Sequence, residues 1–293
     1  MANEFKIEKI KSKEDLDFYT HYGDFKKAVA DFYNFIPHVF QPEKNRLRWW
    51  HGLKTLEYDK YVEVGMLVSQ ERLAELEKPA DNDKKKTTPD NSYYWVFEWD
   101  EFKERCEKKG IHLCFDSKEN WENSLKEGCE SNGKQRTKKA RIEQLLGIDI
   151  DDKTTPVGPH KVAICTLKIK TERLFRPAYN PMINATDFEF QSGVDRYSIH
   201  WPAQSIDGVN NEYVLTTKIK DEIETWLATL QECKDYPWTR MGYTFDWGAK
   251  ADDKEESKKS NEPYYIGLSE FVLMPNSEHE ITGVYEFTKE PEK

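Results

Sequence analysis

Apolar residues recur three or four positions apart in several parts of the chain, as they do on the buried face of an amphipathic helix. The first such part spans 13–35 with Ser12 as a cap before it, and it predicts one or two helices. The segment 137–146 ends at Gly147, a residue type that commonly follows the last turn of a helix. Further helices are predicted at 100–109, at 119–126 and at the stripe 219–230 that follows Thr217.

Runs of β-branched and aromatic residues predict the strands. Most of this signal lies in the second half of the chain, the last two strands are separated by a turn at 275–277, and the sequence contains no internal repeat. We therefore predict an α+β fold with an N-terminal helical extension. The predicted strands are 93–97, 111–115, 162–169, 264–268, 270–274 and 280–287.

Two charge-rich segments, 77–91 and 248–263, are nearly free of apolar residues and are predicted to be mobile surface loops. Each runs directly into an aromatic strand, and neither flank has the composition of an independent unit. The sequence therefore predicts one domain over 37–293, preceded by the helical extension over 1–36.

Charged residues make up 33% of the chain and give a net charge of −10. Both signs are interspersed, without the basic stripe that binds a nucleic-acid backbone. No apolar run approaches the roughly 18 residues that a membrane-spanning helix needs. Aromatic residues, at 13%, oppose disorder because large rings favour burial. We expect a folded protein with a polar surface that binds neither nucleic acid nor membrane.

Five cysteines are spread along the chain without a Cys-x-x-Cys pair, and the first residues carry no apolar core of a signal peptide. This pattern predicts free thiols in the cytoplasm rather than a disulfide framework. His112 and Cys114 share one face of the predicted strand 111–115, but two further ligands at usable spacing are missing, so we predict no bound metal. The cysteines are Cys106, Cys114, Cys129, Cys165 and Cys233.

Three segments carry residues suited to binding or catalysis. An aromatic run ends at His51 and Gly52, where imidazole offers a hydrogen bond and glycine lets a ligand approach the backbone. The aromatic strand 93–97 is suited to wall a flat ring. Glu270 opens an apolar strand, and a carboxylate at the edge of a buried strand attracts developing positive charge strongly because the local dielectric is low.

The order of these segments resembles the ADP-ribosyltransferase superfamily, especially its histidine-type branch. There a strand ending in His-Gly-Thr precedes a stretch containing glycine, two apolar residues and serine. His51-Gly52 and the stretch 65–69 are similar to that pair, although Leu53 stands in place of the threonine. The similarity covers the two ends of 46–287 and leaves the middle unmatched.

The resemblance implies an ADP-ribosyltransferase-like mixed sheet with helical insertions, and NAD as the cofactor. It also assigns roles to residues of this chain. Glu270 would be catalytic and would stabilise the positive charge that develops on the ribose. His51, with Gly52 beside it, would bind ribose or adenosine hydroxyls. Tyr93 or Tyr94 would lie against the nicotinamide ring.

A second assignment within the same superfamily follows its arginine-type branch. Arg176 would then be the cofactor-binding arginine, and Thr216-Thr217 would stand for the Ser-Thr-Ser strand of that branch. Glu270 is the acidic residue in both versions. The choice between a histidine-type and an arginine-type site stays open at this point.

The stretch 236–248 is the most aromatic in the chain, and with the later Gly-Leu-Ser-Glu-Phe segment it resembles a bacterial family without an established activity. Arg240 is suited to pair with a phosphate, for instance of NAD, or with Asp246. In the second case the two residues form a structural ion pair within an aromatic core, and this is the interpretation that the composition favours.

The sequence thus yields two hypotheses from different classes. The first is NAD-dependent ADP-ribosyl transfer or NAD glycohydrolysis, with an unidentified acceptor. The alternative is a non-catalytic cytoplasmic protein, such as an inhibitor or immunity factor, that acts by binding another protein. An acidic surface and two polar loops agree with either hypothesis.

Overall fold

The fold is taken from a computed structural model that describes residues 52–77, 86–89, 92–131, 134–148, 161–178, 182–184, 217–229, 242–246, 248 and 266–287. The predicted N-terminal helical extension lies outside these residues. So do the segment that ends at His51 and most of the two predicted loops.

One seven-stranded sheet organises the described residues, and each of its described pairings is antiparallel. Its strands are β1 (Tyr61–Ser69), β2 (Tyr94–Glu98), β5 (Lys161–Lys170), β6 (Leu174–Phe175), β7 (Tyr243–Phe245), β8 (Ile266–Leu273) and β9 (His279–Glu286); β3 (Gly128–Ser131) and β4 (Lys134–Thr137) form a separate hairpin. The order of the strands in the sheet is β6-β8-β2-β1-β5-β9, with β7 also paired to β8. The α+β prediction is confirmed, with an antiparallel sheet where a mixed one was expected.

Strand β8 corrects the sequence prediction, which divided this region into 264–268 and 270–274. The strand runs without a break through Ser269 and Glu270, and all eight of its residues are buried. The polar pair looked like an interruption in the sequence. The strand continues because β2, β7 and the Glu101 carboxylate form hydrogen bonds with its backbone there.

Four of the predicted helices are confirmed, and the helix predicted at 137–146 ends at Gly147 as predicted. Thr137 Oγ1 accepts the Ala140 N–H at 3.1 Å, and Gly147 adopts a left-handed φ of 68° at the other end of the same helix. The helix that follows β1 was not predicted. The described helices are α1 (Gln70–Glu77), α2 (Trp99–Lys108), α3 (Lys118–Lys126), α4 (Lys138–Leu146) and α5 (Thr217–Thr229), with a short 3₁₀ helix at Thr171–Arg173.

The predicted strand 111–115 is wrong. This segment connects α2 to α3 and pairs with no strand in the described part of the chain. Its apolar residues instead fill the core beside the helices: Ile111 is fully buried, and the Phe115 ring lies 5.7 Å from that of Trp121 and 5.2 Å from that of Trp99. A short apolar run of this kind fits a buried connection as well as a strand.

The two faces of the sheet bury separate clusters. The first core lies on the side of α1, and the second core lies on the side of α2, α3 and α4. The first core includes Val64, Met66, Val68, Leu73, Leu76, Tyr94, Cys165, Leu167, Phe271 and Leu273. The second core includes Phe97, Trp99, Phe102, Cys106, Trp121, Leu125, Ile142, Leu145, Ile164 and Leu268.

Part of the predicted loop 77–91 is anchored to the turn between β8 and β9. Glu77 is the last residue of α1, and Thr87 forms a β-bridge with Glu278. Thr88 Oγ1 donates to the Met274 carbonyl at 3.1 Å and accepts the Ser277 N–H at 2.9 Å. The rest of this segment, and all of 248–263 except Gly248, lies outside the described residues.

The cysteines within the described part are free thiols. Cys106, Cys129 and Cys165 are buried and Cys114 is partly exposed, while Cys233 lies outside the described residues. Burial raises the pKa of the Cys165 thiol to about 12, so this thiol is unreactive in the folded protein. None of the helices in the described ranges is long and apolar enough to cross a membrane.

Candidate functional site

Charged side chains that are almost fully buried gather where β2 ends beside β8. Four of them are only 2–6% exposed, and such burial of charge is typical of functional sites as well as of structural ion pairs. Lys54 joins them, with its Nζ 3.6 Å from the Glu98 carboxylate. We call this group the β2–β8 cluster; it consists of Lys54, Glu98, Glu101, Arg105, Arg176 and Ser269.

Beyond the end of β2, the Glu101 carboxylate binds the part of β8 that a longer β2 would have paired with. The last pair between the two strands is Phe97 with Glu270. Beyond it, the Glu101 carboxylate accepts the Ser269 N–H at 3.2 Å and the Ser269 hydroxyl at 3.0 Å. Burial raises the pKa of Glu101 to about 7, although Arg105 and the Ser269 hydrogen bonds act in the opposite direction.

Arg176 contributes the most deeply buried cation of the cluster. Its Nη2 donates to the carbonyls of Lys54 and, at 3.3 Å, Ile183, and its guanidinium carbon lies 4.7 Å from the centroid of the Phe271 ring. Nε and Nη1 have no hydrogen-bond partner within the described ranges. Burial lowers the pKa of Arg176 to about 10, against the opposing charge of Glu101.

Glu270 lies on the other side of β8 from Arg176. It pairs with Phe97 of the second core, whereas the next residue, Phe271, belongs to the first core and lies beneath Arg176. Successive side chains of a strand point to opposite faces, so the sheet separates the two predicted site residues. An arginine-type arrangement needs both in one cleft, and they do not share one.

The Glu270 carboxyl is isolated from the other described residues. Among them, its buried Oε2 has no hydrogen-bond partner, and none of their charged groups shifts its pKa. Burial alone raises that pKa to about 8. Its backbone N–H donates to the Gly242 carbonyl at 2.9 Å, which fixes the residue at the junction of β7 and β8.

The segment that follows His51 and Gly52 reaches β8 one residue before Glu270. The Lys54 N–H donates to the Ser269 Oγ at 2.8 Å, across 215 residues of sequence. Gly52 is exposed, and His51 lies outside the described residues. The two predicted motifs are therefore neighbours at β8, although Ser269 and Glu270 point to opposite faces.

Tyr93 and Tyr94 also lie on opposite faces of β2. The Tyr93 ring is 5.4 Å from that of Trp226 on α5 and 6.4 Å from that of Phe175. Tyr94 belongs to the first core, and its hydroxyl accepts a hydrogen bond from Arg72 at 2.6 Å. The two rings do not form the walls of one slot.

Asp246, the predicted partner of Arg240, is bound by other residues. Its carboxylate accepts two hydrogen bonds from Arg141, at 2.7 and 2.8 Å, and Lys109 Nζ lies 3.8 Å away. Burial opposes ionisation, but the charges of Arg141 and Lys109 prevail and hold the pKa of Asp246 below its usual value. Arg141 therefore forms a structural ion pair with Asp246 that was not predicted, and the predicted pair with Arg240 is untested because Arg240 lies outside the described residues.

Within the described ranges, no group of three or more His, Cys, Asp or Glu side chains is arranged to hold a metal ion. His112 is exposed and its Nδ1 lies 3.0 Å from Glu107, while the Cys114 thiol lies 3.6 Å from Asp116. His112 and Cys114 would share one face only in a strand. Here each of them contacts a different acidic residue.

Sequence reasoning missed Glu101, the residue that links α2 to β8. An acidic residue in the first turn of an amphipathic helix ordinarily indicates a favourable interaction with the helix dipole. Glu98 does have this ordinary role, since its carboxylate caps α2 by accepting the Glu101 N–H at 2.5 Å. No local signal distinguished the two glutamates, because the partner of Glu101 is 168 residues away.

No protein-family model, no curated protein and no solved structure matches this chain.

Proposed function

We propose that the chain consumes NAD, breaking the bond between nicotinamide and ribose with Glu270 as the catalytic residue. The ADP-ribosyl group would pass to an acceptor or to water. The observation that carries this proposal is the isolation of Glu270, whose carboxyl is 4% exposed and has one buried oxygen without a partner in the described residues. A carboxyl held in this way is typical of a site prepared for a positively charged ligand.

The chemistry needs a negative charge where the ribose becomes positive. Nicotinamide leaves with the bonding electron pair, and the ribose carbon then has oxocarbenium character. An oxygen of water or of the acceptor bonds to that carbon and loses its proton. A carboxylate in a low-dielectric surrounding stabilises this charge more than one in water, and the positive nicotinamide ring favours the ionised form of Glu270 as NAD binds.

One further observation favours the histidine-type version of this proposal: Arg176 is on the opposite face of β8 from Glu270, which disfavours the arginine-type version. The Lys54–Ser269 hydrogen bond brings the segment after His51 to β8 on the face of Ser269, so this contact does not distinguish the two versions. We therefore propose that His51, rather than Arg176, binds the sugar hydroxyls, with Tyr93 as the aromatic residue on the Glu270 face.

The test is the release of nicotinamide from NAD, followed by chromatography. Glu270→Gln keeps the shape of the side chain and removes its charge, and we expect turnover to fall by about 10²–10³-fold. Glu143→Gln is the matched control, since Glu143 is a fully buried glutamate on α4, and it should keep wild-type turnover.

An active protein whose Glu270→Gln variant turns over at the wild-type rate would refute the role of Glu270. A wild-type protein that releases no nicotinamide, alone or with a cell extract as the source of acceptor, would refute NAD consumption. That result would favour the alternative, a protein that acts by binding another protein.

A further inference from the structure

Arg176 is a buried cation without an ion-pair partner in the described part of the protein. The Glu101 charge acts on it, but both Glu101 carboxylate oxygens accept hydrogen bonds from Ser269. The Tyr58 hydroxyl also acts on this charge, and the Phe271 ring and two backbone carbonyls are further contacts within the described residues; none of these groups carries a negative charge when Tyr58 is protonated. A charge removed from water without a counter-ion is costly, so such a residue is expected to have an anionic partner.

The surroundings of the guanidinium leave part of its hydrogen-bonding capacity unused. The carbonyls of Lys54 and Ile183 both bind Nη2 and fix the plane of the group. On the Nη1 side stands Gly242, with a φ of +79° and no side chain. A Cβ at this position would lie 3.6 Å from Nη1 and 3.4 Å from the Arg176 Cδ, in ordinary van der Waals contact, so Gly242 adjoins the side of the guanidinium where Nη1 has no partner among the described residues.

We propose that Arg176 binds a compact oxyanion, the group shared by carboxylates and phosphates, on the face of β8 opposite Glu270. The oxyanion accepts hydrogen bonds from N–H groups that the described protein leaves unpaired and neutralises the buried charge. The site is separate from the proposed NAD site, because β8 lies between Arg176 and Glu270. It therefore does not depend on whether the chain consumes NAD.

The Arg176 Nε–H is a direct probe of this site, since the proton of a buried guanidinium exchanges slowly enough to be seen in a nitrogen-15 spectrum. Inorganic phosphate and acetate are titrated in separate samples, with sodium chloride at matched ionic strength as the reference. We expect a saturable shift of the Arg176 signal and a parallel rise in Tm with at least one of the two anions. Saturation by phosphate or by acetate distinguishes the two kinds of ligand.

Arg176→Lys identifies the signal by removing it, and the rise in Tm should disappear in this variant. Arg173 is the matched control, because its Nε already donates to Ser277 Oγ at 3.2 Å and should not respond. Glu270→Gln should leave the anion response intact, which separates this test from that of NAD consumption. If Arg176→Lys does not fold, the wild-type titration decides by itself.

Two results would overturn the proposal. One is a response to phosphate and acetate no larger than that to sodium chloride. The other is a hydrogen bond from the Arg176 Nε–H to a carboxylate of the chain itself.

Discussion

At the scale of single residues, three buried carboxyl groups differ in pKa because their neighbours differ. Asp246 has Arg141 and Lys109 beside it, and its pKa is low. Glu101 has the charge of Arg105 and hydrogen bonds from Ser269, which offset the effect of burial only in part, and its pKa is about 7. Glu270 has only burial, and its pKa is about 8. The same low-dielectric interior thus stabilises one charge and opposes another.

The raised pKa of Glu270 predicts a stability that falls with pH. Below its ordinary value of 4.5 the carboxyl is protonated in both states. Between 4.5 and about 8 the unfolded chain releases this proton while the folded protein keeps it, so the free energy of unfolding decreases. The loss is about 1.4 kcal/mol per pH unit, on the order of 5 kcal/mol in all.

Urea unfolding of the wild type and of Glu270→Gln between pH 5 and pH 9 measures this contribution. Because the variant lacks the titration, its stability relative to the wild type should increase from pH 5 to about pH 8 and then level off. Glu101 titrates in both proteins and cancels in the difference. A difference that does not vary with pH would contradict the assigned burial of Glu270.

At the scale of the elements, Gly65 in β1 has a packing role that the sequence did not indicate. Its stretch was interpreted as part of an NAD-binding motif. The structure gives the glycine a different reason, because a Cβ there would lie 2.4 Å from the Phe97 ring and 3.1 Å from that of Trp99. The missing side chain lets the second core approach β1, whatever ligand the protein binds.

Gly65→Ala should therefore lower the free energy of unfolding by about 1–3 kcal/mol, the range for overpacking a filled core. Adding Phe97→Leu should restore part of that loss, since the ring that clashes is removed. Chemical unfolding of the two variants, with Phe97→Leu alone as the reference, measures the coupling. Additive effects of the two substitutions would refute the packing explanation.

At the scale of the whole molecule, distant parts of the chain are joined through buried polar contacts around one sheet. Glu101 links α2 to β8, Thr88 links the segment 86–89 to the turn after β8, and Asp246 links β7 to α4 through Arg141. Each contact joins residues at least 105 positions apart. The helices on the second-core face are therefore positioned by charge and hydrogen bonding as well as by apolar packing.

Asp246→Asn should test this positioning. The substitution removes the buried carboxylate charge that faces both Arg141 and Lys109, and we expect a loss of about 3–5 kcal/mol in chemical unfolding. Asp100→Asn is the matched control, because the Asp100–Lys103 pair is exposed and should contribute no more than about 1 kcal/mol. Equal and small losses for both variants would show that Arg141 finds another partner.

Local interactions made much of the secondary structure predictable from the sequence. Thr137 and Gly147 bound α4, and the β-branched run 162–169 lies in β5, because caps and side-chain patterns act within a few residues. The antiparallel turn after β8 was predicted for the same reason, and Asn276 adopts the left-handed φ of 57° that such a turn uses.

The tertiary structure alone decided which predicted site residues meet. Sequence motifs put Glu270 and Arg176 into one site, but the two-residue period of β8 and its pairing with β2 and β6 put them on opposite faces. The partners of Asp246 and Glu101 likewise depend on contacts across more than 100 residues. Residue type and spacing therefore determined the local elements and the presence of buried charge, whereas the partner of each charge was decided by the register of the sheet.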